Sequence, residues 1–306
     1  MTTTHLLTLD GMERSDIEDL LDLADEFVEV LARDIPKVPA LRGKIVATLF
    51  FEPSTRTRLS FEAAAKALSA DTMSFAPGTS AVTKGESLKD TVQTLEAMGA
   101  DLMVVRHEAT GAAWRVASWV GVPIVNGGDG AHQHPTQGLL DALTLRHRFG
   151  KLDGLQMAVV GDIRHSRVAR SLITACTTLG ARVTLVGPPT LLPLDMTGWP
   201  VEISGSLDEV IGDLDAIYML RVQAERGGSS MFPSLPEYVA RFGMDRARFE
   251  RLRPDAVVLH PGPINRGIEL SPEVADDQRS LILPQVANGV AVRMAVLFRL
   301  LGDHSG

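Results

Sequence analysis

The chain has 306 residues, 45 % of them apolar and 22 % charged, enough for one large domain or two of ordinary size and too apolar to be disordered. Thirty basic residues against 38 acidic ones leave a net charge of −8, which argues against a phosphate-coating nucleic-acid binder but leaves room for a local basic pocket holding a small anion. The single cysteine, Cys176, permits no internal disulfide and no cysteine-based zinc site, and it reads as a small buried apolar residue. No basic segment leads into an apolar core at the start, and the most apolar stretch near the end is broken by Pro284, Asn288 and Arg293. Neither a signal peptide nor a membrane span is expected, and the chain reads as cytoplasmic.

Taken in chain order, Ser15 to Arg33 has the spacing of an amphipathic helix. Ile45 to Phe51 is an apolar run of strand length, followed by helix over Ser54 to Ala70 and again over Ser87 to Met98. Strand Leu102 to Val105, helix Thr110 to Trp119, strand Pro123 to Val125 and helix Thr136 to Phe149 complete a first half. The alternation restarts with strand Gln156 to Val160, helix Ser166 to Leu179 and strands Arg182 to Val186, Ala216 to Leu220 and Ala256 to Leu259. A long helix from about Gln285 to Leu301 closes the chain, and periodicity alone lets it pack on either half. Wholly apolar strands separated by helices predict an α/β protein of two domains, each a mostly parallel sheet flanked by helices, with a ligand cleft between them. The Gly-rich segment Gly127 to Gly130 suggests a break at roughly residue 133.

Arginines stand where local rules disfavour them. Ser54–Thr55–Arg56–Thr57–Arg58 opens a helix whose first turn carries free N–H groups and a positive dipole end, a place for acidic residues. A bound anion would reverse that penalty, with hydroxyls, N–H groups and guanidinium converging on it. Simple capping by Ser54 or Thr55 and pairing of Arg58 with Glu62 one turn on account for one arginine and leave Arg56 unexplained. Arg106 follows a strand at its carboxyl end, where open parallel sheets bind ligands. Arg167 stands near a helix start after Asp162–Ile163–Arg164–His165–Ser166, a junction without the GxGxxG dinucleotide spacing.

His134–Pro135–Thr136–Gln137 places Pro135 at a first helical position, flanked by His134 and Gln137. His134 either caps that helix or donates a hydrogen bond to a carbonyl oxygen; nothing nearby completes a metal site, and none is expected. Arg221 ends a strand, and His260–Pro261–Gly262–Pro263 ends another, either as a rigid turn or as backbone carbonyls touching a ligand. Lys84 and Ser80 lie in a polar loop that spacing alone does not promote. Together these residues suggest one small polyanion held by Arg56, Arg106 and nearby hydroxyls and a second anionic group held by Arg167 and Arg221. No nucleophile–base pair is evident, so the chemistry would be positioning and electrostatics.

The segments Phe51 to Arg58 and His134 to Gln137 resemble the carbamoyl phosphate motifs of the carbamoyltransferase family. Ser80 to Ser87, Leu220 to Arg226 and His260 to Pro263 are similar to the aspartate branch of that family, and the match runs in order along nearly the whole chain. The resemblance implies a carbamoyl phosphate-binding domain over residues 1–133 and 287–306 and an aspartate-binding domain over 134–286. It implies carbamoyl phosphate bound by Ser54, Thr55, Arg56, Thr57, Arg106, His134 and Gln137, with the backbone of Gly262 and Pro263. Some relatives carry Leu where Gly262 stands, so contact there would be through backbone only.

Catalysis would rest on Arg56, Thr57, Arg106 and His134, the last three polarising the carbonyl oxygen. L-aspartate would be held by Lys84, Arg167, Arg221 and Gln223, in a homotrimer whose Ser80 and Lys84 reach a neighbouring subunit's site. A cis Gly262–Pro263 peptide, no metal or organic cofactor, and association with regulatory chains or a dihydroorotase as options complete what the resemblance implies. The ornithine branch is the alternative. It typically has His–Cys–Leu–Pro at the 260 segment, and Arg221 suits a carboxylate rather than a cationic acceptor. A nicotinamide dehydrogenase lacks its glycine fingerprint here, and a non-catalytic two-lobed binder would have no use for three polarising groups.

Overall fold

A computed structural model describes residues 4–75, 86–222 and 234–302. The chain divides into two compact units, one formed by Met1–Leu143 with Ala287–Gly306 and the other by Thr144–Val286.

The first unit contains α1 (Arg14–Leu31), β1 (Ile45–Phe50), α2 (Thr55–Ala67), β2 (Asp71–Phe75), α3 (Leu88–Ala97), β3 (Leu102–His107), α4 (Ala112–Ala117) and β4 (Ile124–Asp129). Its described strands form one parallel sheet in the order β2-β1-β3-β4. Ala47, Leu49, Met103, Val105 and Ile124 from the strands pack with Val92 and Val116 from α3 and α4 into a core. Each fully buried Val, Leu, Ile or Met contributes about 2 kcal/mol through loss of apolar surface from water.

Helix α5 (Pro135–Phe149) begins in this unit and ends in the second. The second unit holds β5 (Gln156–Val160), α6 (Arg167–Thr178), β6 (Arg182–Val186), β7 (Val201–Ser204), α7 (Leu207–Val210), β8 (Ala216–Met219), α8 (Leu235–Phe242), α9 (Arg246–Arg251), β9 (Val257–Leu259) and α10 (Pro272–Ala275). Its described strands are parallel in the order β7-β6-β5-β8-β9. Helix α11 (Ile282–Leu301) returns the chain to the first unit. It starts a few residues before the expected position because Pro284 lies in its first turn, where a missing N–H costs nothing.

Strands β2 and β7 have no counterpart in the sequence reading. Both are sheet edges with exposed and half-buried residues, so neither carries the continuous apolar run that marks a strand buried on both faces. Gly127 and Gly128, part of the segment read as marking a domain break near residue 133, belong to β4, which is buried throughout. Among the described residues no helix is long and apolar enough to cross a membrane.

Candidate active site

In each sheet, strand order reverses direction at one place: between β1 and β3 in the first and between β5 and β8 in the second. Such switch points leave a crevice at the carboxyl ends of the strands, where open α/β sheets take their ligands. The segment Ser54 to Arg58 follows β1 and Arg106 lies near the end of β3; likewise the Asp162 to Arg167 junction follows β5 and Arg221 follows β8. The sequence-predicted arginines thus fall in two pairs, one pair at each switch point.

At the first, Ser54 is the N-cap residue of α2 in extended conformation, yet its side chain makes no capping hydrogen bond. Thr55 and Arg56 are exposed, Thr57 is buried, and the first turn contains no acidic residue. Arg58 pairs with Glu62 one turn on, at 3.8 Å.

Arg106 sits opposite Phe50 in the β1–β3 register. Between β3 and β4 the register runs Val105↔Asn126 and then His107↔Asp129, so β4 carries one extra residue opposite Arg106. This bulge is made by Gly127 and Gly128, the latter at φ 118°. A Cβ at Gly127 would crowd Val104, the Val105 carbonyl and Arg106. The glycines therefore let the Arg106 guanidinium fold across β4, where Nη1 donates to the Gly127 carbonyl at 3.1 Å and Nη2 to Glu52 at 3.2 Å.

His134 is delivered by a tight turn after β4. Asp129, fully buried, accepts from the N–H groups of Gly111 (2.6 Å) and Gln133 (3.1 Å) and from Asn126 Nδ2 (2.8 Å). The chain doubles back through an Asp129–Gln133 bridge and enters α5 with His134, itself buried. The His134 carbonyl accepts from the N–H groups of Gln137 and Gly138, the backbone role of an N-cap. Half-buried Gln137 donates through Nε2 to Asp141 at 3.0 Å.

At the second switch point, Arg167 is the first residue of α6 and is buried, with Ser166 capping the helix by accepting from Ala169 N–H. Asp162 accepts from the backbone and from Nδ1 of His165, at 3.2 and 2.8 Å. Arg221 is half-buried just beyond β8. The turn after β9 contains a cis Gly262–Pro263 peptide, as the resemblance implied.

His260 Nδ1 accepts from Gly262 N–H at 2.8 Å, so its ring proton lies on Nε2, which meets Glu269 Oε1 at 3.2 Å. Glu269, with no exposed surface, also accepts from Asn265 N–H, and Asn265 Nδ2 reaches the Val222 carbonyl beside Arg221. Burial, reinforced by the charges of Glu269 and Asp162, holds the Tyr238 hydroxyl well above its usual pKa and therefore neutral. Ser80, Lys84 and Gln223 lie outside the described residues.

Sequence reasoning did not single out Glu52, Asp129, Asp141, Glu269 or Arg293 as site-forming groups. The available signal was a charge set inside an apolar helical stretch, as with Asp141 among Leu139, Leu140, Ala142 and Leu143.

Parallel sheets with arginines and a helix amino terminus at their switch points, and no glycine fingerprint for a dinucleotide, define an α/β class of protein with cations placed where open sheets take their ligands. The model of the aspartate/ornithine carbamoyltransferase carbamoyl-P binding domain matches residues 4–147, and that of the Asp/Orn binding domain matches 153–300. The aspartate carbamoyltransferase catalytic subunit of Thermobifida fusca is 56 % identical over 97 % of this chain and 95 % of its own length. That of Salinispora arenicola is 55 % identical over 98 % and 99 %. Among solved structures, aspartate transcarbamoylase from Trypanosoma cruzi in complex with carbamoyl phosphate and aspartate is 33 % identical, with a TM-score of 0.89 over 97 % of both chains. Its complex with N-(phosphonacetyl)-L-aspartic acid gives a TM-score of 0.86 at 31 % identity, over 97 % of this chain and 96 % of that one. The chain belongs to the aspartate/ornithine carbamoyltransferase family, and it is a carbamoyltransferase.

Proposed function

We propose that the chain transfers the carbamoyl group of carbamoyl phosphate to the amino group of L-aspartate, giving N-carbamoyl-L-aspartate and phosphate, a step of pyrimidine synthesis. The observation that carries this reading is the first-turn arginine of α2 set at the same sheet switch point as Arg106. Ser54, Thr55, Arg56 and Thr57 take the phosphate, using the free N–H groups of the helix start. Thr57, Arg106 and His134 face the carbonyl oxygen, and Gln137 with the backbone of Gly262 and Pro263 completes the grip. Arg167, Arg221 and Gln223 take the carboxylates of L-aspartate, for which two cations suit an acidic acceptor and repel ornithine.

The aspartate amine attacks the carbonyl carbon, and negative charge builds on the carbonyl oxygen as the C–N bond forms. Each preorganised donor there contributes about 3 kcal/mol to the transition state. The C–O bond to phosphate then breaks, and the leaving phosphate takes the amine proton.

The trimeric state belongs to the same proposal: Lys84 and Ser80 serve a neighbouring subunit's site in a cytoplasmic homotrimer. Hybrid trimers of Arg56→Ala and Lys84→Ala chains should regain activity if sites are shared, and a persistently inactive mixture refutes sharing. The reaction itself is tested by phosphate release from carbamoyl phosphate with L-aspartate, L-ornithine or no acceptor. Release with aspartate alone is expected; release with ornithine alone moves the chain to the sister activity.

A further inference from the structure

Asn126, in β4, has no exposed surface and no part in the scheme above. Its backbone N–H donates to the Leu6 carbonyl at 2.9 Å, where the segment before α1 runs parallel beside β4. Its side-chain amide meets three further partners. Nδ2 donates to the Leu7 carbonyl at 3.0 Å and to Asp129 Oδ1 at 2.8 Å, and Oδ1 accepts from the Gly128 N–H at 2.9 Å. Two acceptors at one end and a donor at the other permit a single orientation of this amide. Reversing it would set oxygen against oxygen and N–H against N–H.

Each end of the amide leads to a group assigned to the carbonyl oxygen of the substrate. The Gly128 N–H belongs to the same peptide as the Gly127 carbonyl, and in a trans peptide the two point in opposite directions. Holding that N–H on Asn126 Oδ1 therefore turns the carbonyl away from Asn126, and it accepts from Arg106 Nη1 at 3.1 Å. At the other end, Asp129 Oδ1 takes Asn126 Nδ2 and also the Gln133 N–H at 3.1 Å, one residue before His134. We propose that Asn126 is a positioning residue for the reaction, its one amide setting Arg106 through the Gly127–Gly128 peptide and His134 through Asp129. This rests on the carbamoyl transfer reading and extends it to a residue that touches no substrate.

The test is steady-state transfer by the full chain, with binding of inorganic phosphate measured alongside by calorimetry. In Asn126→Ala and Asn126→Asp, kcat should fall about 10²-fold, the loss that follows when a preorganised donor is misplaced. Phosphate affinity should hold, because the start of α2 grips that ion. Asn126→Asp keeps an acceptor for the Gly128 N–H but sets a carboxylate against Asp129 and the Leu7 carbonyl, so its effect should run through His134. In a chain already carrying His134→Ala it should cost less than about threefold more, where independent effects would multiply in full. A near-wild-type kcat in a folded variant, a full second loss beside His134→Ala, or phosphate affinity lost in step with kcat overturns the positioning role and leaves the function reading intact. A wild type without transfer overturns the function reading and this inference with it. If only Asn126→Ala folds by circular dichroism, its kcat and phosphate affinity decide. If neither variant folds, Asn126 is structural and the inference fails.

Discussion

Arg106 and Glu52 form an ion pair at 3.2 Å, both side chains 13 % exposed, at the carboxyl ends of the two strands that flank the first sheet's switch point. The guanidinium bridges that carboxylate and the Gly127 carbonyl. A planar fork with several donors can hold both partners and still point another N–H at a ligand. A lysine ammonium on a flexible stem does not reproduce this geometry. Arg106→Lys should therefore lower kcat by about 10²-fold or more, with circular dichroism unchanged. A kcat within a few-fold of wild type would falsify the role assigned to Arg106.

Glu269 ties together the turn after β9 by accepting from Asn265 N–H and His260 Nε2–H. Glu269→Leu leaves both donors buried without an acceptor, at a cost of about 1–3 kcal/mol each. Glu269→Gln keeps an amide oxygen in place and should lose less than half as much. Urea midpoints of the two variants check this, and equal losses would show that the charge matters rather than the acceptor.

Gly161 directly follows β5 at φ 120°, and a Cβ there would lie 2.8 Å from the Tyr238 hydroxyl. Gly161→Ala meets backbone strain of about 1–3 kcal/mol as well as that collision. Adding Tyr238→Phe removes the collision alone, so the double variant should recover part of the lost stability. Full recovery in thermal melts would mean that the backbone is not strained.

Asp208 is gripped by Arg248 through two bonds, at 3.1 and 2.8 Å, and by Arg251. The hydrogen bonds to Arg248 lead in holding its carboxyl below the usual range. A depressed folded-state pKa gives stability that is present above the unfolded value of about 4 and lost as pH falls through the folded value. Asp208→Asn should thus cost about 1 kcal/mol or less at pH 7, given the exposure of the site. The gap from wild type should close toward pH 2 and shrink in 1 M salt. A gap that persists in acid contradicts the electrostatic account.

Much of this was legible in one dimension. The apolar runs that begin at Ile45, Leu102, Gln156, Ala216 and Ala256 read as buried parallel strands and form them, because a strand covered on both faces needs apolar residues throughout. The helix opening at Ser54 to Arg58 was legible as an anomaly because helix termini obey rules that reach only a few residues. Edge strands β2 and β7 were not legible, since half-exposed strands lack that signature.

The sequence by itself determined the wholly apolar strands, the junctions where arginine stands against the helix dipole, and the family that those junctions resemble. Tertiary structure alone decided which junctions meet. Strand order places Arg106 next to the turn after β1, and Arg221 next to the loop after β5. It also decided the partners behind the site. Asp141 with Gln137, Arg293 with Ser60, and Glu269 with His260 and Asn265 depend on burial, where an unmatched polar group is costly. Local propensity acts over one or two turns, whereas the pairing of buried charges answers to the whole packed unit.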